Sequence, residues 1–433
     1  MGFGPRWRAW VTTLLATASS SVLLNGVRGK WFRHKIGLRQ GDPLSPMLFI
    51  LAMEPLQLML KKATDEGLLT PICNRHAKLR ISLFADDAAI FVNTTTEEVQ
   101  VVDNILKAFG SATGLITNTD KSAVYPVRCE GLDLQHIMEP FRCPIKSFPC
   151  TYLGLPLHVR QLKRVEIQPL IDKVGAKLTA WKGKFLNKAG RLRLLNSVLS
   201  SMPTYYLTVF KLKKWAIKKI DKIRRSFLWK GSHEANGGHC LVQWKKAMRP
   251  KNFGGLGILD LDLFSRALRL GWLWFQWTTP DKPWVGMEPT VDAMDRQLFR
   301  VSTVVTVGNG AKASFWQSSW VHGQAPMDLF PDLYQLAWRK NKTIREELQN
   351  QNWTRGLWRM QTVEEMASFV QLWDFAQELH LSNTPDSMTW RWTADGVYTA
   401  KSAYNAKFLG SYSSFKGDHI GKAEAEGKPK FFA

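Results

Sequence analysis

The residues best equipped for chemistry are two adjacent acids, Asp86 and Asp87, set between short apolar runs in Ile81-Ser82-Leu83-Phe84-Ala85-Asp86-Asp87-Ala88-Ala89-Ile90-Phe91-Val92. Carboxylates presented together on rigid strands can hold a hard divalent cation, which takes oxygen ligands. The plainer account is a solvated acidic turn, although Asn-Gly or Asp-Gly would serve a turn better than Asp-Asp. Two further groups qualify. Arg39-Gln40-Gly41 lies in a Gly/Pro-punctuated loop just ahead of a helix, where guanidinium and amide suit phosphate and base contacts; a capped loop is the alternative. Lys121, in the segment 114–122, supplies a cation there or is an ordinary solvated lysine. The five cysteines (Cys73, Cys129, Cys143, Cys150, Cys240) are scattered, odd in number and form no C-x-x-C pair. They read as core or surface thiols in a reducing compartment, without zinc or a disulfide scaffold.

The elements that position these groups follow from hydrophobic periodicity. The run 81–92 predicts strand, tight turn, strand: a buried hairpin with both acids at its tip. The segment 7–24 predicts a buried helix and an extended piece, with Asn25-Gly26 as a turn. An amphipathic helix is expected over 47–60, with Ser45 as N-cap and Pro46 in the first turn. Thr96 with Glu97 and Glu98 opens another, ending near Ala112. Residues 152–157 read as a short apolar strand with a kink. Leu192, Leu195, Val198 and Leu199 form one helical apolar face, and Leu212, Trp215, Ile220, Ile223 and Phe227 a second. Lys213, Lys214, Lys218, Lys219, Lys222, Arg224 and Arg225 crowd the rest of that second helix. A polar linker at 231–238 is the best boundary. A long apolar helix over 262–277 places Trp272, Trp274 and Trp277 in a core rather than on a stacking platform. Gly308-Asn309-Gly310 and Asp395-Gly396 read as hairpin turns.

Composition narrows the partner. The 433 residues have room for two or three domains. They carry 59 Lys+Arg against 36 Asp+Glu, a net +23. Nineteen basic and three acidic residues fall between 160 and 230, so sixteen of those charges sit in one segment. Such an excess points to a polyanion, nucleic acid first and an anionic membrane second. No run of eighteen uncharged apolar residues indicates a spanning helix. The apolar stretch 11–24 after Arg6 and Arg8 mimics a signal peptide, a reading the cysteine pattern opposes.

Four of these pieces, 39–46, 84–87, 114–122 and 152–157, occur in the order and rough spacing of polymerase palm motifs. Arg-Gln-Gly-Asp-Pro-Leu-Ser-Pro followed by Phe-Ala-Asp-Asp resembles the LINE-type reverse transcriptases of non-LTR retrotransposons, especially those of plants. The resemblance implies RNA-directed DNA synthesis, with RNA template, DNA primer or RNA–DNA hybrid, and deoxynucleoside triphosphates as partners, and no membrane. It implies two Mg2+ held in part by Asp86 and Asp87, with Phe84 packed beneath the tip. Arg39, Gln40 and Gly41 would position template and nucleotide, Lys121 would face the triphosphate, and Tyr152, Leu153 and Gly154 would grip the primer. Lys213, Lys214, Lys218, Lys219, Arg224 and Arg225 would meet the nucleic-acid backbone on a thumb. The protein is expected inside the cell, nuclear and cytoplasmic, and not secreted.

The expected fold is α+β: a partial right-hand palm and fingers (1–158), a basic helical thumb (159–230), a Gly-containing connector with an apolar helix (231–290) and a Trp-rich mixed region (291–433). The family also places a metal-binding Asp upstream of the Arg-Gln-Gly segment, and residues 1–40 contain no Asp or Glu. Residues 389–404 resemble the lead-in to a zinc-binding segment whose ligands would follow Ala433. The chain therefore reads as truncated at both ends and as a non-catalytic remnant. The alternative function is a nucleic-acid-binding protein that keeps only the basic thumb surface.

Overall fold

The computed structural model describes residues 2–72, 80–177, 185–232, 240–286 and 289–410. Cys73 and most of the linker 231–238 lie outside the described residues. The chain divides into two compact units, 1–161 and 162–433. Helices and antiparallel two-stranded pairs make up both, a mixed architecture of the α+β kind.

The first unit opens with helix α1 (Pro5–Ala16). Strand β1 (Ser19–Ser20) pairs with β4 (Phe32–Arg33), and β2 (Leu23–Leu24) with β3 (Val27–Arg28). Asn25 and Gly26, at φ 45° and 82°, make the turn between β2 and β3 as their sequence predicts, because both central positions need left-handed backbone. The expected burial of α1 is not found: it buries no residue, and Trp10, Leu14 and Leu15 face outward. Periodicity reports an apolar stripe but not whether anything covers it.

Helix α2 (Ser45–Asp65) and helix α3 (Thr96–Thr113) supply the unit's core. Leu56, Leu60 and Ala63 recur at helical spacing on α2, as do Val99, Val102 and Phe109 on α3. Against them packs the inner face of the hairpin β5 (Ile81–Phe84) and β6 (Asp87–Ile90), through Ile81, Leu83 and Ile90. Ser45 turns out to be the first helical residue rather than the cap. Leu44 holds the cap position without a side-chain bond, and the loop is closed instead by Asp42, whose Oδ1 accepts the Leu44 N–H at 2.9 Å. On α3 the cap is Thr95, one residue before the expected start, and Gly114 closes the far end at φ 76°.

Residues 152–157 do not form a kinked strand. Leu153 and Gly154 take φ 50° and 76°, so the chain reverses between β7 (Cys150–Tyr152) and β8 (Leu155–Leu157) as a second tight hairpin.

In the second unit, helices Arg164–Ala176, Lys188–Leu194, Thr204–Val209 and Lys214–Lys230 share a core with Ala247, Met248, Ile258 and Leu261. The chain beyond 231–238 thus returns to the core formed before it. Helix Leu261–Thr278 then contributes Ala267, Leu270 and Trp274 to a second core shared with helix Ala400–Ala406. A third core surrounds Phe315, Trp316 and Trp353. Strand β9 (Thr303–Thr306) pairs with β10 (Ser387–Trp390), about eighty residues further on. Gly308-Asn309-Gly310 is therefore not a hairpin turn. Its amides are gathered by Asp386, which accepts from Gly308 and Gly310 at 2.8 Å and from Lys312 and Ala313 at 2.9 Å. Among the described residues no helix is long and apolar enough to cross a membrane.

Candidate active site

The acid-bearing hairpin turns in two residues, Ala85 and Asp86, with Phe84 paired to Asp87. Only Asp86 therefore sits in the turn, and Asp87 opens β6. The left-handed position is taken by Ala85 at φ 51°, and by neither Asp. An L-residue there costs on the order of 1–2 kcal/mol. Strain of this kind persists only where the surroundings impose it; here the core beneath Ile81 and Leu83 fixes both strands.

Asp86 and Asp87 are both exposed, and among the described residues neither carboxylate has a hydrogen-bond or ion-pair partner. Phe84 is 64 % exposed, so it does not pack beneath the tip. The pleat explains this: Ile81 and Leu83 take the core face, which leaves Ser82 and Phe84 on the outer one. Asp87, opposite Phe84, shares that outer face. So does the point where the second hairpin docks, since Tyr152 Oη bonds Ser82 Oγ at 2.9 Å and donates to Ser82 O at 3.2 Å. The structure thus brings the Tyr152 hydroxyl to the sheet face that carries Asp87, with Leu153 and Gly154 following it in the turn of the second hairpin.

The loop before α2 is organised by Asp42, which accepts from Arg39 at 2.8 Å. This engages one end of the Arg39 guanidinium and removes Asp42 as a free ligand. Gln40 is exposed beside Gly41, whose φ of 87° an L side chain would resist. Lys121 is also exposed; Asn118 Oδ1 accepts its backbone N–H at 3.1 Å.

Sequence reasoning missed the polar cluster at the root of the hairpin. Arg80, just ahead of β5, and Glu98 on α3 are both buried and pair at 3.2 Å. Glu98 also accepts from the Thr70 backbone N–H at 2.9 Å, the Thr70 hydroxyl, and Asn93 Nδ2 at 3.1 Å. Arg80 reaches Phe91 O at 3.2 Å and Thr70 O. Burial by itself would raise the Glu98 pKa, but the Thr70 and Asn93 hydrogen bonds, with the Arg80 charge, hold it below the ordinary 4.5. The one sequence signal was Thr95-x-x-Glu98, which reads as a capping box; the Thr95 half forms, while the Glu98 carboxylate turns inward.

The basic helix needs one correction. Lys213, Lys214, Lys218 and Lys219 are exposed and Arg225 is half-buried, but Arg224 is fully buried and cannot meet a phosphate. Its guanidinium donates to Asp221 at 2.6 Å, Ser200 Oγ at 2.9 Å and Leu259 O at 2.8 Å. The spacing held the clue, for Arg224 lies four residues after Ile220 and three before Phe227, on the core stripe itself. Burial pushes the Cys143 and Cys150 thiols up, which keeps them protonated and poor metal ligands.

For Mg2+ the fit is incomplete. Asp86 and Asp87 offer oxygen ligands, but among the described residues no three His, Cys, Asp or Glu side chains gather closely enough to hold a metal ion. A two-metal centre needs more than one such pair.

An acid-tipped hairpin thus rests on α2 and α3 and receives the Tyr152 hydroxyl of a second hairpin on its outer face. Residues 2–157 match the family model of reverse transcriptase (RNA-dependent DNA polymerase). An Arabidopsis thaliana protein described as a ribonuclease H protein is 24 % identical over 58 % of this chain and 44 % of its own length. The 149 kDa protein of transposon TX1 from Xenopus laevis is 26 % identical over 69 % of the chain and 23 % of its own length. The Pol polyprotein of the type-2 retrotransposable element R2DM from Drosophila melanogaster is 27 % identical over 54 % and 22 %. The chain thus matches a reverse transcriptase domain over residues 2–157, and two of these relatives bear the names of transposon or retrotransposon proteins. It spans less than half the length of these relatives, and the family uses Mg2+.

Proposed function

We propose that the chain serves RNA-templated DNA synthesis for a retrotransposon, with 1–158 as palm and fingers, 159–230 as thumb, 231–290 as connector and 291–433 as a Trp-rich appendage. The observation that carries this reading is the acid-tipped β5–β6 hairpin with Tyr152 docked on Ser82. In it Asp86 and Asp87 hold metal, Arg39, Gln40 and Gly41 meet template and incoming nucleotide, and Lys121 faces the triphosphate. Tyr152, Leu153 and Gly154 steady the primer end, and Lys213, Lys214, Lys218, Lys219 and Arg225 contact the backbone.

Because the acid pair lacks a third ligand among the described residues, a polypeptide of these 433 residues is expected to bind primer–template without extending it. Primer extension on an RNA template with Mg2+ is the test. Extension that disappears in Asp86→Ala would show that a further ligand is present and overturn the inactivity. Failure to bind primer–template at all would overturn the template-handling role itself.

A further inference from the structure

The third core of the second unit borders a cavity of about 590 Å3 that none of the roles above uses. Trp353, buried, and Trp373, half-buried, form its aromatic floor. Arg345, Gln349, Gln351 and Gln377 line it and are exposed, and no lining residue is acidic. The Arg345 Nε donates to Asn309 O at 2.9 Å, which holds the guanidinium in place. The three glutamine side-chain amides have no protein partner among the described residues.

Backbone strain marks the same wall. Asn350 and Gln351 take φ 52° and 53° in succession, a left-handed pair that non-glycine residues rarely adopt. Strain concentrates where a ligand is held. The volume is in the range of small-ligand sites.

The chemistry narrows the ligand. An aliphatic group would leave the amides unanswered, and a bare anion would leave the indoles unused. A planar ring with donor and acceptor edges, joined to a negative charge, answers all three features. Bases of unpaired RNA are bound in this way, stacked on aromatic rings and read along their edges by polar side chains.

We propose that this cavity takes one unpaired nucleotide, its base against Trp373, its edge met by the glutamine amides and its phosphate by Arg345. The nucleotide comes from a single-stranded RNA segment or from the free mononucleotide pool, sources that share this chemistry. The inference rests on the nucleic-acid reading but uses residues separate from the basic helix.

The test uses the full chain with Lys213, Lys214, Lys218 and Lys219 changed to Gln, so that the basic helix contributes little. A labelled, unpaired RNA hexamer is the probe, and a mononucleotide is the competitor. Trp373→Leu, which keeps an apolar side chain, is expected to weaken hexamer binding about tenfold. Gln377→Glu, an exposed change that places a negative charge at the rim, is expected to weaken it at least as much without altering the circular dichroism. Competition by the mononucleotide assigns the pool as a sufficient source; its absence assigns the strand. The proposal is overturned if the hexamer does not bind in this background, if Gln377→Glu binds it unchanged, or if an abasic hexamer binds equally well. Failure of the basic-helix reading shows separately, as RNA–DNA hybrid affinity unmoved by the four lysine changes.

Discussion

At the scale of single residues, the buried Arg80–Glu98 pair decides whether the acid hairpin has a firm root. Arg80 bonds the Phe91 carbonyl, one residue past the end of β6, and Glu98 anchors it from α3. Removing one member of a buried pair leaves the other uncompensated, at a cost of about 3–5 kcal/mol. Glu98→Ala is expected to lower the stability of residues 2–161 by that order, measured by urea unfolding of the full chain with a probe in the first unit. The pH dependence has a definite sign. Since the folded Glu98 pKa lies below the ordinary 4.5, its contribution is complete above about pH 4.5 and is lost as pH falls through the lower folded value. The acid side of the stability profile should therefore flatten in Glu98→Gln. An unchanged slope there would assign the acid sensitivity to other carboxylates.

At the scale of elements, two tight turns place the side chains of the candidate site, and they satisfy backbone geometry differently. Gly154 carries its φ of 76° as glycine should, whereas Ala85 carries 51° against its Cβ. Ala85→Gly relieves strain of about 1–2 kcal/mol and gives back about 0.4–1 kcal/mol through the more flexible unfolded chain. A net gain of about 0.5–1 kcal/mol is expected on that balance. Gly154→Ala reverses the argument and should cost about 1 kcal/mol. It should also loosen the Tyr152–Ser82 hydrogen bond, which faster amide exchange in β5 would report. Stabilisation in Gly154→Ala would rule out the left-handed turn.

At the scale of the whole molecule, charge is the governing property. The net +23 is concentrated on few elements, and the helix Lys214–Lys230 buries its apolar and Arg224 side while leaving lysines outward. Neutralising Lys213, Lys214, Lys218 and Lys219 together should weaken RNA–DNA hybrid binding at every sequence. The slope of log affinity against log salt should shrink by roughly one for each phosphate that is no longer neutralised. Arg224→Gln should leave that slope unchanged and lower stability instead, because its charge is spent on Asp221, Ser200 and Leu259. A slope reduced in Arg224→Gln as in the lysine variants would mean that its buried bonds open on binding.

The sequence by itself determined the local facts. Asn25-Gly26 fixed a turn because few residues accept left-handed backbone. The apolar stripes of α2 and α3 fixed two helices because a 3.6-residue period suits nothing else, and the Arg-Gln-Gly and Phe-Ala-Asp-Asp segments pointed to the domain that residues 2–157 match. The tertiary structure alone decided which charges are spent inside. Arg80 and Glu98 are eighteen residues apart, Arg224 and Leu259 thirty-five, and no local pattern states that such groups will meet. It also decided that α1 and Phe84 stay exposed while Tyr152 reaches Ser82. Periodicity reports which face of an element is apolar; what covers that face, and which polar group finds a partner there, depends on contacts between segments far apart in the chain.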